Sequence, residues 1–356
     1  MSDFRIDKIT NRDGSAGTQI AGISTFSGTS GMQLPVGPTE YRGGRGRGIF
    51  AGGYTPSGHT NTMNYIEIAT TGNAVDFGDL VTFNSGSTGS SSNSIRGVFN
   101  GADVPNNINT MSYTVISSSG GVADFGDMSY VTRDGPFGAG DNTRGVLGGS
   151  AGGPSNMGGP AGKGVNYIDF ITFATTGDST EFGTLTVARR GVCACSSPTR
   201  TVWGGGYIKP SNHTKIIDYV TTQTLGDATH FGELTVSRGH MGACSSTTRG
   251  IWYGGSIYGP DAPAYTMYNT IDYITIASTG NATDFGDTIT AGGVHFTTGG
   301  VSNSIRGVWG GGSTPAIQDD ITYVTIATTG SGTDFGNLTA SEYQKAGASD
   351  NHGGLG

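Results

Sequence analysis

Tyr273-Ile274-Thr275-Ile276-Ala277-Ser278-Thr279-Gly280-Asn281-Ala282-Thr283-Asp284-Phe285-Gly286 sets an aromatic residue twelve positions before a Phe-Gly pair. A β-branched and aromatic run, suited to a pleated strand, precedes a Ser-Thr-Gly-Asn turn, and the Phe-Gly pair opens the next strand. The same spacing occurs six times: Tyr65 to Phe77, Tyr113 to Phe125, Phe170 to Phe182, Tyr219 to Phe231, Tyr273 to Phe285 and Tyr323 to Phe335. A period of this kind is the signature of a repeat architecture.

Each unit carries two more marks. An Arg-x-apolar step stands at Arg47, Arg96, Arg144, Arg200, Arg249 and Arg306, and it often runs into a glycine pair such as Gly204-Gly205 or Gly310-Gly311. A stretch of small residues precedes the arginine, as in Gly191 to Ser196 and His240 to Ser245. Four short strands per unit follow: the small-residue stretch, the segment after Arg, the Tyr-Ile-Thr-Ile segment and the Phe-Gly segment. Units of this length with four strands are propeller blades, so the sequence predicts an all-β, six-bladed β-propeller.

The repeats resemble kelch repeats in the double glycine closing the second strand (Gly254-Gly255), the third-strand Tyr (Tyr273) and the fourth-strand aromatic (Phe285). Phe stands where kelch repeats usually hold Trp, and the inter-blade arginines matched at Arg189 and Arg238 are lacking in other units. The last unit stops near His352-Gly353-Gly354, where a second strand is due, and the first residues that suit that strand lie at Gly48 to Tyr54. The expected ring is therefore closed by pairing of strands from the two ends, which removes an open sheet edge. Two domains follow: an extended arm over residues 1–42 and a propeller over residues 43–356.

Composition agrees with short strands and many turns. Gly makes up 65 of 356 residues, about 18% against an average of about 7%. A net charge of −8 gives no electrostatic reason to seek nucleic acid or an anionic membrane. Met1 to Thr10 has no charged-then-apolar leader, and no apolar run approaches the ~20 residues of a membrane helix. Cys193, Cys195 and Cys244 form no disulfide framework, which fits synthesis in a reducing cytosol.

The arm carries a second resemblance. Asp7-Lys8-Ile9-Thr10-Asn11, Gly22-Ile23-Ser24-Thr25-Phe26, Ser30-Gly31-Met32-Gln33-Leu34-Pro35 and Gly37-Pro38-Thr39 resemble the N-terminus of virion structural proteins, including tail-fibre-like ones, of tailed phages that infect marine cyanobacteria. The repeats resemble the same group. The likeness implies a virion component, made in the host cytoplasm; the arm, which has no blade pattern, is expected to dock on other virion proteins through Phe4, Ile6, Ile9, Phe26 and Met32, and symmetry leads us to expect several copies per particle. Tail, fibre, baseplate and capsid positions stay open.

Other motifs reduce to the repeat. Asp-Phe-Gly is a kinase signature when it occurs once beside a catalytic loop, but here it recurs six times with Glu181 and His230 replacing Asp. Gly46-Arg47-Gly48-Ile49-Phe50-Ala51 imitates a dinucleotide fingerprint without a strand-turn-helix unit around it. Tyr41 to Arg47 reads either as an Arg-Gly tract for phosphate or as a flexible lead-in to the first strand, and the net acidity favours the latter. Cys195 and Cys244 share one repeat position five residues before the arginine, which suits small buried hydrophobes, and Cys193-x-Cys195 is poor zinc spacing. No cofactor, metal or catalytic group is assigned.

Loop length points to the binding face. From second-strand apolar residue to third-strand aromatic the separations are 15, 14, 23, 16, 21 and 14 residues, whereas the third-to-fourth turn never varies. The long loops are Gly148 to Asn166 and Gly254 to Thr270, the latter with Tyr258, Asp261, Tyr265 and Tyr268; a third loop holds Tyr207, Lys209 and His213. Tyrosines beside a carboxylate stack on sugar rings or anchor a protein partner, and they also pack loops onto blade rims. The sequence therefore predicts a non-enzymatic virion protein that displays these loops to a host-surface glycan or protein, or to a virion partner. The alternatives are a purely architectural capsid or tail decoration module and a surface-polysaccharide hydrolase, the last needing a carboxylate pair that the sequence does not single out.

Overall fold

Each aromatic-to-Phe repeat folds as the outer two strands of a four-stranded antiparallel sheet, and the Arg-x-apolar step begins the strand inside them. The computed structural model describes residues 46–81, 89–102, 108–118, 120–132, 136–151, 164–208, 212–258, 266–289, 299–313 and 316–355. Six such sheets form a six-bladed β-propeller with almost no helix.

Blade 1 comprises Ala346–Ser349, Arg47–Ala51, Thr62–Glu67 and Val75–Asp79; blade 2, Gly89–Ser92, Arg96–Ala102, Ile108–Val115 and Ala123–Thr132; blade 3, Phe137–Gly140, Arg144–Ala151, Gly164–Thr172 and Thr180–Arg189. Blade 4 comprises Cys193–Ser196, Arg200–Gly204, Ile216–Thr221 and Thr229–Glu233; blade 5, Gly242–Ser245, Arg249–Tyr253, Thr270–Thr275 and Thr283–Asp287; blade 6, Val301–Ser302, Arg306–Gly312, Gln318–Thr325 and Thr333–Asn337. The inner strands are shorter than the small-residue stretches in the sequence. Gly191 and His240 take left-handed backbone (φ 61° and 53°), which an extended strand cannot contain, so pairing starts at Cys193 and Gly242.

Blade 1 draws its strands from both ends of the described chain. Gly48 pairs with Ser349 and Ala51 with Ala346. The turn joining inner and second strands is copied across the break: Asp350 Oδ1 accepts the Arg47 N–H at 2.8 Å, as Asn93 does for Arg96 and Asn303 for Arg306 at 2.7 Å.

The core lies between blades. Third-strand aromatic and outer-strand Phe meet edge to face in all six, at centroid separations from 5.7 Å (Tyr219–Phe231) to 6.2 Å (Phe170–Phe182), a geometry that adds roughly 0.5–1.5 kcal/mol to area burial. The Gly after Phe lets the next blade approach. A Cβ at Gly183 would stand 2.3 Å from Gly226 O, and the Gly226 N–H donates to Phe182 O at 3.0 Å.

Candidate functional site

Alternating strand direction sorts the connections onto two faces. Inner-to-second and third-to-outer turns share one, the turn face. Second-to-third loops and the crossings between blades share the other, the loop face.

On the turn face every blade repeats one device. The arginine that opens the second strand lays its guanidinium over its own blade's third-strand aromatic, from 4.3 Å (Arg47 on Tyr65) to 4.7 Å (Arg306 on Tyr323). The same group donates to carbonyls of the following blade: Arg47 to Ile116 and Ser118, Arg96 to Phe173, Arg144 to Thr222, Arg200 to Ile276 and Ala277, Arg249 to Ile326 and Ala327, and Arg306 to Ile68 and Ala69. Six cations thus form a closed ring of inter-blade clamps, and their chemistry is used within the fold.

The loop face differs from blade to blade. Short two-stranded ribbons build its second-to-third loops in blades 1, 4 and 5: Tyr54–Thr55 with Gly58–His59, Tyr207–Ile208 with Asn212–His213, and Ser256–Ile257 with Thr266–Met267. Three residues singled out by sequence come together where blades 4 and 5 meet. Tyr258 stacks on Tyr207 at 5.4 Å and receives the edge of His213 at 4.7 Å; Tyr207 and His213 stand 5.1 Å apart. Two residues that the sequence reading missed complete the group. His240 stacks on Tyr258 at 5.9 Å with its Nε2 3.1 Å from the phenol oxygen, and the Arg190 guanidinium lies 5.1 Å over Tyr207. Among the described residues of the crossings, His240 aligns with Gly191 and Gln344, which also hold positive φ, and that alignment is its signal.

Burial changes the reading of this cluster. Tyr207 is 6% and His213 8% exposed, so both are packed between loop and rim, while Tyr258 is partly exposed. Tyr268 is partly exposed, donates its N–H to Gly255 O, and acts electrostatically on Arg238. Lys209, Asp261 and Tyr265 lie outside the described residues, as do Phe4, Ile6, Ile9, Phe26 and Met32.

Buried ion pairs lie at the blade junctions. Arg189 meets Asp218 at 2.8 Å and also donates to Ile216 O; Arg238 meets Asp272 at 3.0 Å; Lys345 pairs with Glu342. Burial lowers the Arg189 guanidinium to about 10, with Asp218 opposing the shift, so the guanidinium stays charged at neutral pH. The three thiols are buried and free, and burial raises each, Cys244 to about 12, which leaves them protonated and unreactive. Exposed carboxylates such as Asp76, Asp127, Glu181, Glu233, Asp284 and Asp334 line the outer strands, where charge blocks edge-to-edge pairing.

Along the axis the inner strands enclose a cavity of about 50 Å³ lined by small residues, including Ser92, Ala194, Cys195, Ser196, Ser245 and Ser302. Among the described residues no three His, Cys, Asp or Glu side chains gather as a metal site, and no helix is long and apolar enough to cross a membrane. No model of a known protein family matches the chain, and no curated protein matches it.

Proposed function

We propose that this chain is a non-enzymatic, kelch-like structural protein of a phage particle, whose propeller turns its loop face toward a host-surface glycan or a neighbouring virion protein. The observation that supports this reading is the contrast between the faces. The turn face repeats one arginine clamp six times and uses its cations within the fold, whereas loop length, tyrosines and histidines vary on the other face. Loops that vary over a rigid scaffold are where recognition resides. The arm's likeness to cyanophage virion proteins supplies the biological setting and the docking role of Phe4, Ile6, Ile9, Phe26 and Met32.

A second reading, a purely architectural module, is favoured by the burial of Tyr207 and His213, which makes them loop-packing residues. A glycan array probed with the full-length protein separates the two. Binding to a defined set of glycans, lost in Tyr258→Ala, supports recognition, and silence across the array supports architecture. Electron microscopy of intact particles tests the setting, and a density map with no six-bladed ring in tail, baseplate or capsid defeats it.

A further inference from the structure

On the turn face the axial cavity is stopped by the short 3-10 turn Gly353–Leu355 and the histidine before it. Its seat is defined by the last residues of the inner strands: Ser92, Gly140, Ser196, Ser245, Ser302 and Ser349. Their hydroxyls link one blade to the next. Ser245 Oγ takes the Ser196 N–H at 3.2 Å and donates to Ser196 O at 2.8 Å. Ser302 does the same for Ser245 at 3.4 and 2.9 Å, and Ser92 for Ser349 at 3.1 and 2.9 Å. Ser349 Oγ takes the Ser302 N–H at 3.2 Å, and Ser196 Oγ donates to Gly140 O at 2.9 Å.

The circuit has one gap. Gly140 has no hydroxyl to offer Ser92, and a Cβ at that position would stand 2.0 Å from Arg144 O, so no serine fits. His352 supplies the missing donor, its Nε2 lying 2.7 Å from Ser92 O. Its Nδ1 accepts the Gly354 N–H at 3.1 Å. A carbonyl only accepts and an amide N–H only donates, so the two bonds together require the neutral imidazole with its proton on Nε2. The glycines that follow wedge backbone against backbone: a Cβ at Gly353 would stand 2.2 Å from Ser246 O, and one at Gly354 would stand 1.6 Å from Gly140 O.

We infer that His352–Leu355 is a proton-released plug, which closes the turn-face end of the axial cavity while His352 is neutral and leaves it when the imidazole is protonated. A proton on Nδ1 would set two N–H groups against each other and place a cation in the buried seat. The groups facing His352 do not reverse this. Asp141 is the carboxylate that favours the cation, but its Oδ1 already takes the N–H groups of Thr143 and Arg144 and its Oδ2 the Gln223 amide. Asp350, on the plug's own segment, accepts the Arg47 N–H, and the Cys195 and Cys244 thiols along the cavity stay neutral. The six clamp guanidinia turn outward onto aromatic rings and carbonyls of the next blade.

Burial holds His352 below its ordinary 6.5, and the Ser92 bond and Asp141 oppose that shift only in part. A histidine lowered in the seated state stabilises the seat fully above its unseated pKa, and that stabilisation drains away as pH falls below 6.5. The released seat exposes the cavity lined by Ser196, Ser245 and Ser302 from the turn face.

The test is hydrogen exchange by mass spectrometry on the full chain at about pH 7.5 and about pH 5, corrected for intrinsic exchange. It reads the amides of 349–355 together with those of Ser196, Ser245 and Ser302. Protection should fall about tenfold or more in the unaltered protein at the lower pH, one decade for each pH unit of linkage. It should approach that of Gly354→Ala, which cannot seat. His352→Gln keeps a donor for Ser92 O without a titrating ring and should hold one level of protection at both pH values. Undiminished protection of the unaltered protein at about pH 5 overturns the inference, as does an equal loss in His352→Gln or a fully protected Gly354→Ala at about pH 7.5.

Discussion

The junction between blades 3 and 4 and the junction between blades 1 and 2 are built from the same repeat and are not equally fastened. At the first, Asp227 Oδ1 takes both the N–H and the hydroxyl of Thr184 at 2.9 Å, Thr186 donates to Asp218, and Arg189 closes on that carboxylate. At the second, Gly121 stands where Asp227 is, Ser112 where Asp218 is, and Val81, 66% exposed, where Thr186 is. What junction 1/2 keeps is the common part: the Arg47 clamp onto Ile116 and Ser118, and a core of Phe77, Leu80, Phe99 and Ile116. The arginine ring and the aromatic pairs therefore assemble any pair of blades, and the buried carboxylate is an added latch. Junction 4/5 carries it (Thr235 to Asp272), junction 6/1 replaces the carboxylate with the neutral amide of Asn64, which takes the Thr339 hydroxyl, and junction 5/6, with Ile289 and Thr322 in those positions, has neither.

The largest effect should come from breaking the latch. Arg189→Met leaves Asp218 buried with Thr186 as its remaining side-chain donor, and stranding a buried charge costs about 3–5 kcal/mol. Ser112→Ala at the matching place of junction 1/2 should cost under ~1 kcal/mol. Urea denaturation of both variants checks the contrast, and equal losses would mean that the latch carries no extra stability.

Backbone approach gives the next contrast. A Cβ at Gly183 would stand 2.3 Å from Gly226 O, but at Gly78 the nearest atom would be Gly120 Cα at 3.3 Å. Both glycines hold positive φ, 159° and 128°, so both alanine variants pay for backbone strain. Only Gly183→Ala must also separate two blades, and we expect it to cost about 2–3 kcal/mol against about 1 for Gly78→Ala. Thermal melts showing the reverse order would place the tighter seam at junction 1/2.

The repeat was legible because its signals are local. A twelve-residue interval between aromatics is a hairpin, and the hairpin sets ring on ring. The arginines could be read only as strand markers, since their partners are backbone carbonyls of the next blade, Arg200 reaching Ile276 and Ala277, and a carbonyl leaves no trace in sequence. Sequence places Tyr207 and His213 in a loop, a position that suits display as well as packing onto the rim. They are buried because Tyr258 of the next blade covers them, a long-range contact that spacing does not encode. The carboxylate latch was visible in principle: Asp169, Asp218 and Asp272 each stand one residue before the third-strand aromatic. Its meaning depends on knowing that this position faces the neighbouring outer strand rather than the blade's own core.

The smallest effect should come from building a latch where there is none. Junction 2/3 supplies the pattern, since Asp169 Oδ2 takes the hydroxyls of Ser129 and Ser179 at 2.6 and 2.5 Å, and the carboxylate is satisfied by hydroxyls. The equivalent positions at junction 1/2 are Ser112, Val81 and Val122. Ser112 is 4% exposed, so Ser112→Asp alone buries a carboxyl group that takes its neutral form there, and leaving it without hydrogen-bond partners should cost about 1–3 kcal/mol. Adding Val81→Ser and Val122→Ser supplies both donors. The triple variant should return to within ~0.5 kcal/mol of the unaltered protein, because each new hydrogen bond is worth about 1 kcal/mol and the partly buried Val122 gives up packing. The informative quantity is the coupling between Ser112→Asp and the serine pair in a double-mutant cycle, expected near 1–2 kcal/mol and favourable. Zero coupling would mean that the third-strand position at junction 1/2 does not face the outer strand of blade 1, and that the two junctions differ in geometry as well as in side chains.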